Sequence, residues 1–189
     1  MQSWHVGVSP WIIQDGNYGD FHLGQLSDFA LEFYAPELRA SPKGSPSALY
    51  MGAGKYQISA KVLKATKPMV LDFGIKAYSD QNSPLPKTSM AEGALYLGID
   101  SYSYFEYHAL RPTVPSLIYR WKIEEIQKQT APLIQRGQIL VEDETRLVTT
   151  PVQKTDAWHD EEVGLSVHYV LVCTLQSSTA RRVRRLRNL

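Results

Sequence analysis

The sequence is poor in cysteine and has no long apolar segment. Cys173 is the single cysteine among 189 residues, which excludes an intrachain disulfide and a zinc site built from several cysteines. Its place on an alternating strand face predicts a small buried side chain rather than a reactive thiol. No run of ~20 apolar residues is present, so we expect no membrane partner. The first residues lack the basic and apolar regions of a secretory signal, and a cytoplasmic location is expected.

The common catalytic and nucleotide-binding motifs are also missing. Neither Gly-x-Ser-x-Gly nor Gly-x-Gly-x-x-Gly occurs. The string Gly-Ala-Gly-Lys that ends at Lys55 departs from a phosphate loop, because Leu49 replaces the first glycine and Tyr56 follows the lysine. The sequence therefore predicts no cofactor and favours a non-enzymatic protein.

Positive charge is concentrated at the end of the chain. The net charge is +1, but the last nine residues carry five arginines and no acid, which leaves the rest near −4. Such a tail, residues 176–189, is either a solvated segment or a contact for nucleic acid. Its arginines are Arg181, Arg182, Arg184, Arg185 and Arg187.

Apolar residues alternate with polar ones along most of the chain, which is typical of half-buried strands. The clearest cases are residues 55–66, 69–77 and 163–175, and the first two should form a hairpin around Pro68. Loops rich in proline and glycine separate these segments. We expect an all-β fold, either an antiparallel sandwich or a coiled β-barrel, with a basic C-terminal tail.

The domain organisation has two interpretations. Residues 1–175 form a single β-rich domain, or they form two similar lobes over about 1–90 and 91–175. The second interpretation rests on a 64-residue shift, which aligns Val62, Lys64, Thr66 and Pro68 with Ile126, Lys128, Thr130 and Pro132. Duplication and common hairpin chemistry both explain this match.

Residues 116–129 allow a strand or a helix that begins at Ser116. Tyr119, Trp121 and Ile123 alternate as in a strand, and Ile126 then continues on the other parity. The apolar positions do not keep a period of 3.6, so we favour a strand with a bulge near Glu124.

Residues 93–108 show two faces with a period of two. Odd positions are mainly apolar and should point into the core. At ~3.3 Å per residue this strand would be unusually long, so we expect a bend near Gly98 or between Ser101 and Ser103. Even positions predict either a binding face, whose acids favour a basic protein partner over nucleic acid, or a sheet face that is covered by a loop or by the other layer of a sandwich. This face consists of Tyr96, Asp100, Tyr102, Tyr104, Glu106 and His108.

The densest set of metal-ligating residue types lies before the last strand. His159 and Asp160, together with His168, are candidate metal ligands, and a solvated acidic turn is the competing interpretation. The favoured function is a binding module with a protein partner or self-association. The alternatives are a nucleic-acid-binding β-barrel that uses the arginine tail, and a metal-dependent hydrolase.

Overall fold

The protein is mainly β-structure. The structure, a computed structural model, describes residues 2–81, 90–158, 164–177 and 180. These residues form strands β1 (Ser3–Val8), β2 (Leu26–Phe29), β3 (Leu31–Ser41), β4 (Ser47–Gly52), β5 (Lys55–Lys64), β6 (Met69–Asp72), β7 (Lys76–Ser79), β8 (Met90–Ile99), β9 (Tyr119–Arg136), β10 (Ile139–Glu142), β11 (Val148–Val152) and β12 (Leu165–Leu175). The helices are short: α1 (Pro10–Gln14), a π-helix (Tyr104–His108) and a 3₁₀ turn (Glu144–Arg146). None of the described helices is long and apolar enough to cross a membrane.

The chain folds into two compact units. The first contains Met1–Leu26 and Lys122–Thr174, and the second contains Ser27–Trp121 and the described residues from Leu175 onward. Neither unit coincides with residues 1–90 or 91–175. The arginine tail from Arg181 to Arg187 lies outside the described residues.

Five strands of the second unit close into a β-barrel. β3 pairs with β8, β8 with β5, β5 with β6, and β6 with β7, all antiparallel. β7 then returns to β3 through a parallel bridge between Tyr78 and Glu32. The all-β prediction is thus confirmed, and the barrel alternative describes this unit.

The apolar side chains that alternate with polar ones along the strands fill the barrel interior, as the sequence predicted. Tyr56, Ile58 and Ala60 of β5 are buried, and so are Leu95, Leu97 and Ile99 of β8. Because successive strand residues point to opposite faces, Lys55, Gln57 and Tyr96 lie on the outer surface. The expected hairpin around Pro68 joins β5 to β6.

The predicted strand over residues 93–108 is wrong beyond Ile99. At Asp100 the chain leaves β8, passes through Tyr102 with φ 76°, and forms the π-helix. The Asp100 carboxylate accepts the Tyr104 N–H at 3.0 Å, the kind of local bond with which aspartate competes against strand pairing. Tyr104 is buried, and its hydroxyl accepts the Leu117 N–H at 3.1 Å. Burial of Tyr104 and this local bond therefore override its strand propensity.

In the first unit, β1 pairs antiparallel with β12, and β9 pairs with β10 and β11. Of the predicted strand over residues 116–129, β9 confirms the part from Tyr119 onward, while residues 116–118 precede the strand. The change of parity is also confirmed, since Ile123 and Ile126 are both buried while Glu124 between them is exposed. Cys173 is fully buried, as expected. Burial, with Glu124 nearby, raises the pKa of its thiol to about 12.

Candidate functional site

The six residues of the predicted binding face do not share a surface. Tyr96 and Glu106 are exposed, and Tyr102 is partly exposed and stacks on Phe105 at 4.9 Å. Asp100, Tyr104 and His108 are buried. The prediction of one continuous face is therefore corrected, because β8 ends before Asp100 and the π-helix turns the following residues inward.

The buried members belong to a polar cluster at one end of the barrel. We call it the Asp100 cluster, and its side chains come from β3, from β7 and the residue after it, from the end of β8, and from the π-helix. Its members are Glu32, Tyr78, Asp80, Asp100, Tyr104 and His108. All of them belong to the second unit.

Asp100 is the centre of this cluster. Its Oδ1 accepts hydrogen bonds from the Tyr78 hydroxyl and from the Tyr104 N–H. Its Oδ2 is buried and has no hydrogen-bond partner among the described residues. Burial raises the pKa of Asp100 to about 6, with a smaller contribution from Glu32, against the opposing effect of these two hydrogen bonds and of His108.

His108 forms the second buried contact. Its Nε2 lies 2.9 and 3.0 Å from the two carboxylate oxygens of Asp80. Its Nδ1 is buried without a hydrogen-bond partner in the described part of the chain. The imidazole is thus anchored on one side and unsatisfied on the other.

Glu32 and Tyr78 lie in the same low-polarity surroundings. Burial raises the pKa of Glu32, although the Ser101 hydroxyl donates to its carboxylate at 3.2 Å. Burial and the neighbouring Asp100 raise the pKa of Tyr78 well above its usual range, so it remains a neutral donor. Perturbed groups of this kind often mark functional sites, but a substrate has no access to the buried atoms of Asp100 and His108 in this conformation.

A second region lies on the outside of the barrel, and we call it the tyrosine face. Tyr34 of β3 and Tyr96 of β8 are opposite each other, with ring centroids 6.4 Å apart. Their exposed fractions are 53% and 41%. Lys55 of β5 is the next residue in register, and its Nζ lies 5.9 Å from the Tyr96 ring centroid. The face also includes the exposed side chain of Leu49 on β4, which pairs with Gln57 of β5.

Beside the tyrosine face lies an open concavity of about 370 Å³, lined by Pro36, Glu37, Arg39, Gln57, Glu92, Gly93 and Ala94. At this edge β3 has a register shift between Tyr34, which pairs with Tyr96, and Glu37, which pairs with Ala94. At Gly93, with φ 153°, a Cβ would lie 2.5 Å from the Glu37 carbonyl oxygen, so a side chain does not fit. Arg39 pairs with Glu92 at 3.2 Å, whereas Glu37 has no ion pair within the described residues.

The candidate metal ligands do not form a common site in the part of the chain that the structure describes. His159 and Asp160 lie outside it. His168 contacts Glu142 at 2.5 Å and Ser166 at 3.0 Å. Within the described ranges, no group of three His, Cys, Asp or Glu side chains could hold a metal ion.

Sequence reasoning missed Tyr34, Glu32, Tyr78 and Asp80. Tyr34 becomes important only through its pairing with Tyr96, and Asp80 only through its contact with His108. One local signal was available, because residues 100–103 read Asp-Ser-Tyr-Ser, which is dense in residues that cap helices.

Comparison of the chain with protein-family models, with curated proteins and with solved structures finds no match. A function is therefore inferred from the two regions alone. The Asp100 cluster offers perturbed titratable groups around the buried Asp100 and His108, and the tyrosine face offers an accessible aromatic surface.

Proposed function

We propose that the protein is a non-enzymatic binding module whose protein partner docks on the tyrosine face. The observation that carries this proposal is the Tyr34–Tyr96 pair, two large aromatic side chains that are adjacent and exposed on the barrel. Tyrosine and methionine are enriched at the centres of protein interfaces, where a few aromatic residues supply most of the binding energy. Leu49 of β4, which pairs with Gln57, adds an exposed apolar side chain to the same outer surface.

The charges around this face favour a protein over a nucleic acid. Glu37 and Glu92 balance Arg39 and Lys55, so the face has no basic stripe that would neutralise phosphates. An exposed aromatic surface with balanced charges at its border is typical of a protein interface.

The concavity beside the two tyrosines suits a basic side chain of the partner. Glu37 supplies a carboxylate that has no ion pair within the described residues, while Arg39 is already neutralised by Glu92. The Tyr96 ring accepts a cation, as the position of Lys55 Nζ illustrates. An arginine or lysine that enters the concavity would therefore meet the Glu37 carboxylate, and the Tyr96 ring belongs to the tyrosine face beside it.

Site-specific crosslinking tests the proposal. A photoreactive amino acid is placed at Gln57, which lines the concavity, and in a separate sample at Leu140, which is exposed on β10 in the first unit. We expect a protein that crosslinks from position 57 and not from position 140. Crosslinking that is equal at the two positions, or none at position 57, would contradict the proposal.

The captured partner is then purified and its affinity measured by calorimetry. The double variant Tyr34→Ala/Tyr96→Ala should bind at least about tenfold more weakly, because truncation of an interface anchor costs more than ~1 kcal/mol. Tyr107→Ala is the matched control, since Tyr107 is 59% exposed but lies on the π-helix. Equal affinity of the double variant and the wild type, with thermal unfolding unchanged, would disprove the role of the tyrosine face.

A further inference from the structure

The segment that follows β8 covers an apolar part of the barrel. We call residues 100–118 the cap segment. Tyr104, Val114, Leu117 and Ile118 from this segment are buried in one cluster with Ala30, Val70 and Tyr78, and Phe105 and Ala109 pack against the cluster. The cap segment is therefore attached to the second unit by apolar burial.

Polar contacts attach the same segment to the residues around β7. The Tyr78 hydroxyl donates to Asp100, and Asp80 contacts His108 Nε2 at 2.9 Å. Within the segment, the Tyr104 hydroxyl donates to the Pro115 carbonyl oxygen and accepts from the Leu117 N–H, each at 3.1 Å. Both ends of the π-helix are thus fixed by titratable side chains.

These polar contacts are incomplete, and the backbone beside them is strained. Asp100 Oδ2 and His108 Nδ1 are buried without partners in the described residues, and an unsatisfied buried group is costly, most of all when it is charged. Tyr102 has φ 76°, a conformation that is uncommon for a bulky residue, and it lies two residues before the single-turn π-helix. The closed segment therefore contains stored strain and an unsatisfied carboxylate oxygen.

We propose that the cap segment is a proton-controlled lid, which is closed when Asp100 is neutral and opens more readily when Asp100 is ionised. The groups that face Asp100 are Glu32 from β3, Tyr78 from β7, Asp80 after it, and Tyr104 and His108 from the π-helix. The Glu32 carboxylate disfavours ionisation of Asp100, whereas His108 favours it. The lid contacts use neither Tyr34 nor Tyr96, so the lid proposal can be tested independently of the proposed partner.

The direction of the pH effect follows from the difference between the closed and open forms. In the closed form burial raises the pKa of Asp100 to about 6, while in an open, solvated form it has the ordinary value of about 4. The closed form therefore binds the proton more tightly. The stability that the closed form gains from this proton is fully present below pH ~4 and is lost as the pH rises to ~6. Above that pH the opening constant no longer changes.

Hydrogen exchange measures the opening directly. Amides of the π-helix are compared with amides of β5 from pH 4.5 to 7.5, after correction for the intrinsic exchange rates. The opening constant of the π-helix should increase about tenfold between pH 5 and pH 7.5, and that of β5 should not follow it. A π-helix whose opening constant is independent of pH, or a β5 that changes by the same factor, would overturn the proposal.

Two variants assign the effect to Asp100. Asp100→Asn keeps the side-chain shape and an acceptor for Tyr78 and Tyr104, and it should abolish the tenfold change. His108→Gln, which leaves Asp100 in place, should retain a change with pH. The reverse result, with the change retained in Asp100→Asn and lost in His108→Gln, would assign the switch to the histidine and disprove the proposal.

A measurement on the unsubstituted protein guards against a variant that fails to fold. Carbon NMR of the aspartate side chains follows the titration of Asp100 itself. We expect a midpoint near the value of about 6, and a midpoint at the ordinary ~4 would remove the basis of the lid.

Discussion

Two histidine–carboxylate pairs with the same chemistry occur in different surroundings. In the second unit, His108 Nε2 lies 2.9 Å from Asp80, and the side chains are 4% and 27% exposed. In the first unit, His168 Nε2 lies 2.5 Å from Glu142, and the exposed fractions are 39% and 36%. The contact distance alone would rank the second pair as the stronger one. Burial reverses this ranking, because water screens the exposed pair and solvates either partner when the other is removed.

One carboxylate in each region, Asp100 beside the buried pair and Glu142 within the exposed pair, shows the same contrast in its pKa. At Asp100, burial outweighs the hydrogen bonds from Tyr78 and Tyr104, so the pKa is raised. At Glu142, burial also raises the pKa, but hydrogen bonds from His168 and Ser166 outweigh it and the pKa is lowered. The two regions should therefore respond to pH with opposite signs.

The largest expected difference is between His108→Ala and His168→Ala. His108→Ala leaves Asp80 without its partner and creates a cavity beside Tyr78, so it should lower the free energy of unfolding by about 3 kcal/mol. His168→Ala should lower it by less than about 1 kcal/mol, because its pair is exposed. Urea denaturation of both variants at one pH measures the two effects. Equal losses of unfolding free energy in the two variants would show that burial does not make the His108–Asp80 pair more important for stability than the His168–Glu142 pair.

A smaller effect is expected from Tyr78→Phe. The change removes one hydrogen bond to a buried carboxylate and should lower the free energy of unfolding by about 1–2 kcal/mol. The hydroxyl of Tyr78 stabilises the ionised form of Asp100, so its loss should raise the pKa of Asp100 further. The pH range in which the closed cap segment loses stability should then move upward. Hydrogen exchange of the π-helix as a function of pH measures this range.

Tyr119→Phe is the matched control for Tyr78→Phe. Tyr119 is also buried, and its hydroxyl accepts the Lys76 N–H at 3.1 Å rather than contacting Asp100. It should reduce stability without moving the pH range of the cap segment. A shift of that range in Tyr119→Phe, or none in Tyr78→Phe, would contradict the assigned contact.

Alternation of apolar residues predicted the barrel strands well, since Leu95, Leu97 and Ile99 are buried as expected. The same alternation continues to His108, yet the π-helix replaces the strand there. A local pattern does not contain the information that decided this outcome. Tyr104 is buried through contacts with Tyr78 and with the chain around Leu117, which are formed only in the tertiary structure.

The candidate surfaces were only partly accessible to sequence reasoning. Tyr96 was identified because its parity places it outside the barrel, and it is exposed. Tyr34 was missed because its importance depends on the register of β3 against β8. Asp100 was expected on a solvent-exposed face, whereas its burial depends on where β8 ends. Strand parity is a local property, but register and strand ends depend on contacts between distant segments.

The smallest effect is expected from Glu142→Gln in the exposed pair. Because hydrogen bonds lower its pKa, Glu142 stabilises the fold above its ordinary pKa of about 4.3, and this contribution is lost as the pH falls. Glu142→Gln should therefore lower the free energy of unfolding at pH 7 by less than about 0.5 kcal/mol, since the pair is screened by water. Urea denaturation from pH 3 to 7 should show that the free energy of unfolding of Glu142→Gln falls slightly less at acidic pH than that of the wild type. In Asp100→Asn the decrease in this free energy as the pH rises from 4 to 6 should instead be smaller than in the wild type. A loss in Glu142→Gln as large as that in His108→Ala would mean that the exposed pair is as important as the buried one.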